Sequence, residues 1–192
     1  MSSPVEKPYE SNQELIQDLK EGDKNAFEKL FYSYYHDLCA LAFKITKCPE
    51  QARDVVQDVF LKLWKKRQSW HIKTSLKAYL YQAVWNQALN VKTQKDSRRK
   101  LQEEFYKTSA RNFETEMTAG DDRTERLITE IWNIVDTMAD RRKFVFILHR
   151  KHGLSYKEIA RVMDVARKTV ENHMGLALQE IRDTINPDLL RS

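Results

Sequence analysis

Apolar residues return at steps of three and four along almost this whole chain, and only 4 Gly and 4 Pro interrupt its 192 residues. That spacing is the period of an α-helix, in which such residues share one face. No segment alternates at the period of two that a half-buried strand requires, so the chain is predicted to be all-α. The most sustained stripe runs through Ala26, Phe27, Leu30, Phe31, Tyr34, Tyr35, Leu38, Leu41, Ala42 and Ile45. It predicts a long core helix, ended by Cys48 and Pro49, with Pro49 suited to the first turn of the next helix. Upstream, Ser11 and Glu14 have capping-box spacing ahead of Leu15, Ile16 and Leu19, and Gly22 closes that short helix.

The segment Gly153 to Ile181 reads as a helix-turn-helix. Gly153 ends one helix, and Ser155 with Glu158 forms a capping box for the next, whose Ile159, Ala160, Val162 and Met163 face inward. Ala160 is small enough to let a second helix approach closely. Asp164 and Val165 make the turn. The second helix buries Val170, Met174, Ala177 and Ile181, which leaves Lys168, Asn172 and Gln179 outward, with Thr169, Glu171, Gly175 and Leu176 at the margins. Such a face fits a DNA major groove, although an ordinary helical hairpin with a solvated polar side has the same spacing.

Two further surfaces stand out in the first half. The helix from about residue 49 to 66 buries Val55, Val56, Val59, Phe60, Leu63 and Trp64 and turns Asp54, Gln57, Asp58, Leu61 and Lys65 outward. A leucine within a partly acidic stripe suits docking of a basic partner helix, and a solvated face with one stray leucine is the alternative. The helix from about 75 to 91 has a core side of Leu76, Leu80, Ala83 and Val84. Lys77, Tyr81, Trp85 and Lys92 are expected on a face turned away from it. Aromatic rings interleaved with ammonium groups suit unpaired bases, which stack while a cation neutralises the phosphate; Trp70 and His71 precede the helix as a second stacking element. Packing of Tyr81 and Trp85 against another part of the protein is the competing expectation.

Between about 95 and 123 the composition turns polar: Ser97, Arg98, Arg99 and Lys100 are followed by Glu114, Glu116, Asp121 and Asp122. This predicts a linker, helical in part through Leu101, Phe105 and Tyr106, between domains at 9–94 and 124–188. The net charge of +5 and the pI of about 9.1 are compatible with nucleic acid. Cys39 and Cys48 lie on or near apolar positions, and His36 with Cys39 lacks the further ligands a metal site needs. No phosphate-binding glycine loop, metal-spaced cluster or nucleophile motif is present, so neither catalysis, a cofactor nor a small-molecule substrate is expected. With no signal-peptide pattern and no apolar run of bilayer length, a cytoplasmic protein is expected.

Asp54-Val-Val-Gln-Asp-Val-Phe-Leu-Lys-Leu-Trp64, Gly153-Leu-Ser-Tyr-Lys-Glu-Ile-Ala160 and Lys168-Thr-Val-Glu-Asn-His173 together resemble the extracytoplasmic-function (ECF) sigma factors of bacterial RNA polymerase. The resemblance implies a region 2-like bundle and a region 4-like helix-turn-helix, which bind core RNA polymerase and direct promoter recognition, melting and transcription initiation. It places Asp54, Gln57, Asp58 and Leu61 on the polymerase clamp. It assigns Trp70, His71, Lys77, Tyr81 and Trp85 to the minus-ten element, and Arg167, Lys168, Thr169, Glu171, Asn172 and His173 to the minus-thirty-five element. It also implies an anti-sigma factor, often membrane-anchored in the family. The chain departs from the family pattern at Met138-Ala139, where Leu-Pro is frequent, at Asp164 in place of the turn glycine, and at Ala166 in place of a capping serine. Trp85 stands where arginine is common, and Gly175-Leu176 where serine then arginine is frequent. The second half alone also resembles a response-regulator output domain, which would bind duplex DNA without polymerase.

Overall fold

The computed structural model describes residues 12–70, 75–102 and 123–185. Its helices are α1 (Asn12–Glu21), α2 (Lys24–Thr46), α3 (Pro49–Lys65), α4 (Leu76–Gln102), α5 (Arg123–Thr137), α6 (Asp140–Arg150), α7 (Tyr156–Val162) and α8 (Arg167–Thr184). A single 3-10 turn, Arg67–Ser69, follows α3, and no strand occurs among the described residues. The chain divides into two compact units, Met1–Glu104 and Phe105–Ser192. No helix among the described residues is long and apolar enough to cross a membrane.

In the first unit α2 packs against both α3 and α4, which also pack on each other. Asp23 starts α2, its carboxylate accepting from the backbone N–H groups of Asn25 at 2.7 Å and Ala26 at 3.2 Å. Lys47 ends it in a left-handed conformation, φ 55°, and Pro49 opens α3 from its first turn. Leu19, Leu30, Leu38, Leu41, Val56, Leu76 and Leu80 close the core. Gly22, φ 89°, lets α1 turn beneath Arg67, whose guanidinium lies 3.1 Å from where a Cβ would sit. Arg67 in turn stacks 4.5 Å over Trp64 and donates to its carbonyl at 3.0 Å, tying the turn after α3 to its last helical residues. The predicted Ser11 cap lies outside the described residues.

Helix α4 runs to Gln102, past the boundary expected near residue 94. Polar composition does not end a helix: Lys, Gln and Arg are good helix formers, and no Gly or Pro falls between Leu76 and Gln102. The rest of the expected linker, residues 103–122, lies outside the described residues.

In the second unit Val135, Leu148, Leu154, Ile159, Val162, Val170 and Ala177 form the core. The break between α5 and α6 falls at Met138-Ala139, and Ala139 supplies no side-chain cap. The buried Lys143 instead donates to the carbonyl of Asp136, satisfying one of the free acceptors at the end of α5. The salt bridge from Arg142 to Glu180 ties α6 to α8.

Each predicted feature of the helix-turn-helix turn is present. Gly153 is left-handed at φ 64°; Ser155 and Glu158 form the complete capping box; Asp164 takes the turn at φ 51°. Ala166 occupies the N-cap of α8 in an extended conformation with no side-chain cap. A serine there would accept from a free N–H of the first turn. Ala166→Ser is therefore expected to stabilise the second unit by about 1 kcal/mol, seen as a higher melting temperature for its unfolding in the full chain.

Candidate functional site

On α3, Asp54, Gln57, Asp58 and Leu61 recur at steps of three and four and are all exposed, Leu61 at 50%. The inward residues of the same helix, Val55, Val56, Val59, Phe60 and Leu63, are buried as expected, while Trp64 is only half-buried. The stripe thus offers two carboxylates, a half-exposed leucine and, one turn on, the exposed Lys65. Beside it, Cys39 of α2 lies near Tyr35, and burial raises its thiol above the ordinary pKa. That cysteine is a packed thiol and not an activated nucleophile.

The aromatic face expected on α4 is not exposed. Trp70, Tyr81 and Trp85 are 4%, 0% and 7% exposed. Helix α4 is held against α2 and α3 together, so its buried arc takes in Leu76, Ala78, Leu80, Tyr81, Val84, Trp85 and Ala88, more than half of the helix circumference. Tyr81 lies near Asp37 and Tyr34 of α2, and its burial pushes the phenol far above its ordinary pKa. Trp70 folds back, its indole N–H donating to the carbonyl of Leu63 at 3.1 Å. Lys77 is half-buried and Lys92 exposed, so the expected stripe is split between core and solvent. His71 lies outside the described residues.

The surface that sequence reasoning missed lies on another side of the same helices. Val59, Lys62, Leu63 and Lys66 of α3, Trp70, and Tyr79, Ala83 and Gln87 of α4 line an open groove of about 200 Å³. Lys62 donates to the Gln87 side chain at 3.3 Å, and Trp70 and Tyr79 lie 6.4 Å apart, tilted. Two ammonium groups, the half-buried Tyr79 ring and a side-chain amide are the groups a nucleotide engages: phosphate, base face and base edge. The signal was available as the four-residue steps Lys62–Lys66 and Tyr79–Ala83–Gln87. The latter is two positions out of register with Lys77–Tyr81–Trp85, about 200° around the helix. Ala83, expected in the core, forms part of the groove floor.

In the second unit, α8 exposes Arg167, Lys168, Asn172, Gly175, Leu176 and Gln179. Glu171 pairs with Arg167 at 3.0 Å and Lys168 at 3.7 Å, orienting both cations at the start of the helix. Thr169 and Glu171 are half-buried at the margin. His173 is also half-buried, with Nδ1 turned inward and without a hydrogen-bond partner, and Ile181 is less buried than expected.

Residues 30–98 match the family profile of Sigma-70 region 2, and residues 128–181 match that of Sigma-70, region 4. The chain belongs to the sigma-70 family. Its full-length relatives place this sigma factor in the ECF branch. It is 29% identical over 184 residues to the ECF RNA polymerase sigma-E factor of Haemophilus influenzae, covering 92% of this chain and 96% of that one. It is 25% identical over 188 residues to the sigma-E factor of Escherichia coli, covering 94% and 97%. The fold is similar to that of CnrH, solved in complex with the cytosolic domain of CnrY, with TM-score 0.60, 18% identity and coverage of 90% and 95%. It is also similar to the sigma factor RpoE of Bartonella quintana, solved with the anti-sigma factor NepR, with TM-score 0.63, 18% identity and coverage of 82% and 94%. The region 2 match occupies the half of this sigma factor that a response-regulator output domain does not explain, so that competing reading is not favoured.

Proposed function

We propose that this sigma factor docks on core RNA polymerase through Asp54, Gln57, Asp58 and Leu61, receives the melted minus-ten strand in the α3–α4 groove, and reads minus-thirty-five duplex with α8. The observation that carries the reading is the division of α3 into two faces. An exposed acidic and apolar stripe suits a basic protein helix, whereas Lys62 and Lys66, about 100° away around the helix, suit an anionic strand. In the second unit Arg167 and Lys168 would hold phosphates, while Thr169, Glu171 and Asn172 face the base edges. His173 is assigned to supporting the helix, because Nδ1 points inward.

The protein acts in the cytoplasm, where polymerase is, and contributes no catalytic chemistry of its own. The solved proteins it resembles were captured with CnrY and with NepR, which supports an anti-sigma partner here as well.

Replacing Lys62 and Lys66 with Glu tests the groove. Open-complex formation by the reconstituted holoenzyme, read by permanganate reactivity of unpaired thymines, should fall about tenfold or more, while binding to core polymerase stays unchanged. Unimpaired melting would remove the strand from this groove; parallel loss of polymerase binding would make the lysines part of the docking surface.

A further inference from the structure

We infer that Gly175 and Leu176 of α8 form an apolar base-reading element, which receives the methyl group of a thymine in the major groove. The inference rests on the assignment of α8 to minus-thirty-five duplex and deepens it. Formal charge on the outer face of α8 is concentrated in its first five residues, at Arg167, Lys168 and, at the margin, Glu171. The face then continues through Asn172, Gly175, Leu176 and Gln179 without charge until Arg182. Asn172 and Gln179 can donate to phosphates or to base edges, whereas Gly175 and Leu176 carry no polar side-chain group and act by apolar contact. The apolar group that a base pair presents in the major groove is the thymine methyl.

Leu176 is 47% exposed, whereas Val170, Met174 and Ala177 on the same helix are buried. It lies about 12 Å along the axis from Lys168, so both can lie along one groove. A Cβ built at Gly175 meets nothing within 4 Å, and its φ is not in the left-handed region, so neither packing nor backbone geometry in this chain requires glycine. Apart from proline, glycine is the residue least suited to a helix interior. Its bare backbone does suit close approach of an outside surface, and the neighbouring base-reading residues identify that surface as duplex DNA.

The test uses holoenzyme reconstituted with the full chain and a minus-thirty-five duplex selected by that holoenzyme from a randomised pool. Each thymine is replaced in turn by uracil, which removes only the methyl group. One replacement should weaken binding by the wild-type protein about fourfold and leave binding by Leu176→Ala unchanged. Gly175→Ala should melt at a higher temperature than wild type yet bind the selected duplex more weakly. A selected element without thymine, or uracil effects that are identical in both proteins, would overturn the methyl contact. Undiminished binding by Gly175→Ala overturns the close approach, and loss of polymerase binding alone in Leu176→Ala reassigns the patch to a protein. Lys168→Ala and Asn172→Ala separate the two levels of the reading. If neither weakens binding, α8 does not read this duplex; if both do while the uracil effects ignore Leu176, only the apolar element is lost.

Discussion

Asp54→Lys combined with Asp58→Lys is expected to abolish binding to core RNA polymerase while leaving the helical circular-dichroism signal intact. Both carboxylates are exposed on α3, so neither replacement opens a cavity or buries a charge. Within the helix the ammonium that Asp58→Lys introduces faces Lys62 one turn on, a like-charge pair worth only a few tenths of a kcal/mol. Against a basic partner helix the same change turns two attractions into two repulsions at the centre of the docking stripe, and the expected loss of affinity is about a hundredfold or more. Fluorescence anisotropy of labelled protein titrated with core polymerase, repeated at two salt concentrations, reads the effect. Undiminished affinity would show that polymerase docks elsewhere, and the exposed Leu61 would then need another partner.

Trp85→Ala is expected to destabilise the first unit by about 3 to 5 kcal/mol, the usual cost of truncating a large buried aromatic. At 7% exposure Trp85 belongs to the contact of α4 with its neighbours, and a domain of this size has only about 5 to 15 kcal/mol in total. Polymerase binding and promoter melting should therefore fall together, in proportion to the unfolded fraction, and Trp85→Phe should restore most of both. Urea unfolding followed alongside open-complex formation separates this from a base-stacking role. A variant that keeps its unfolding midpoint but loses melting alone would return Trp85 to the single strand.

The contrast between α8 and α4 shows which parts of the site were legible. Ahead of α8 the residues Gly153, Ser155, Glu158 and Asp164 have local conformational consequences, and α8 packs on one side, so the periodicity identifies its free face. In α4 the same reasoning placed Tyr81 and Trp85 outward. Tyr and Trp are apolar enough for a core and polar enough for a surface, and periodicity alone does not assign a stripe when a helix buries two adjoining faces. Lys62 and Lys66 were visible as cations, but their pairing with Tyr79 and Gln87 depends on how α3 crosses α4.

Sequence alone determined the all-α class, most helix starts and stops, the helix-turn-helix and the exposed stripe on α3, because caps, turns and one-sided amphipathic faces are set by residues within a few positions of one another. Tertiary structure decided which aromatic residues are core, how far α4 continues and where the cationic groove lies. Those outcomes depend on the packing of distant segments, with α4 pressed against both α2 and α3, and local spacing does not encode which of a helix's faces will meet a neighbour.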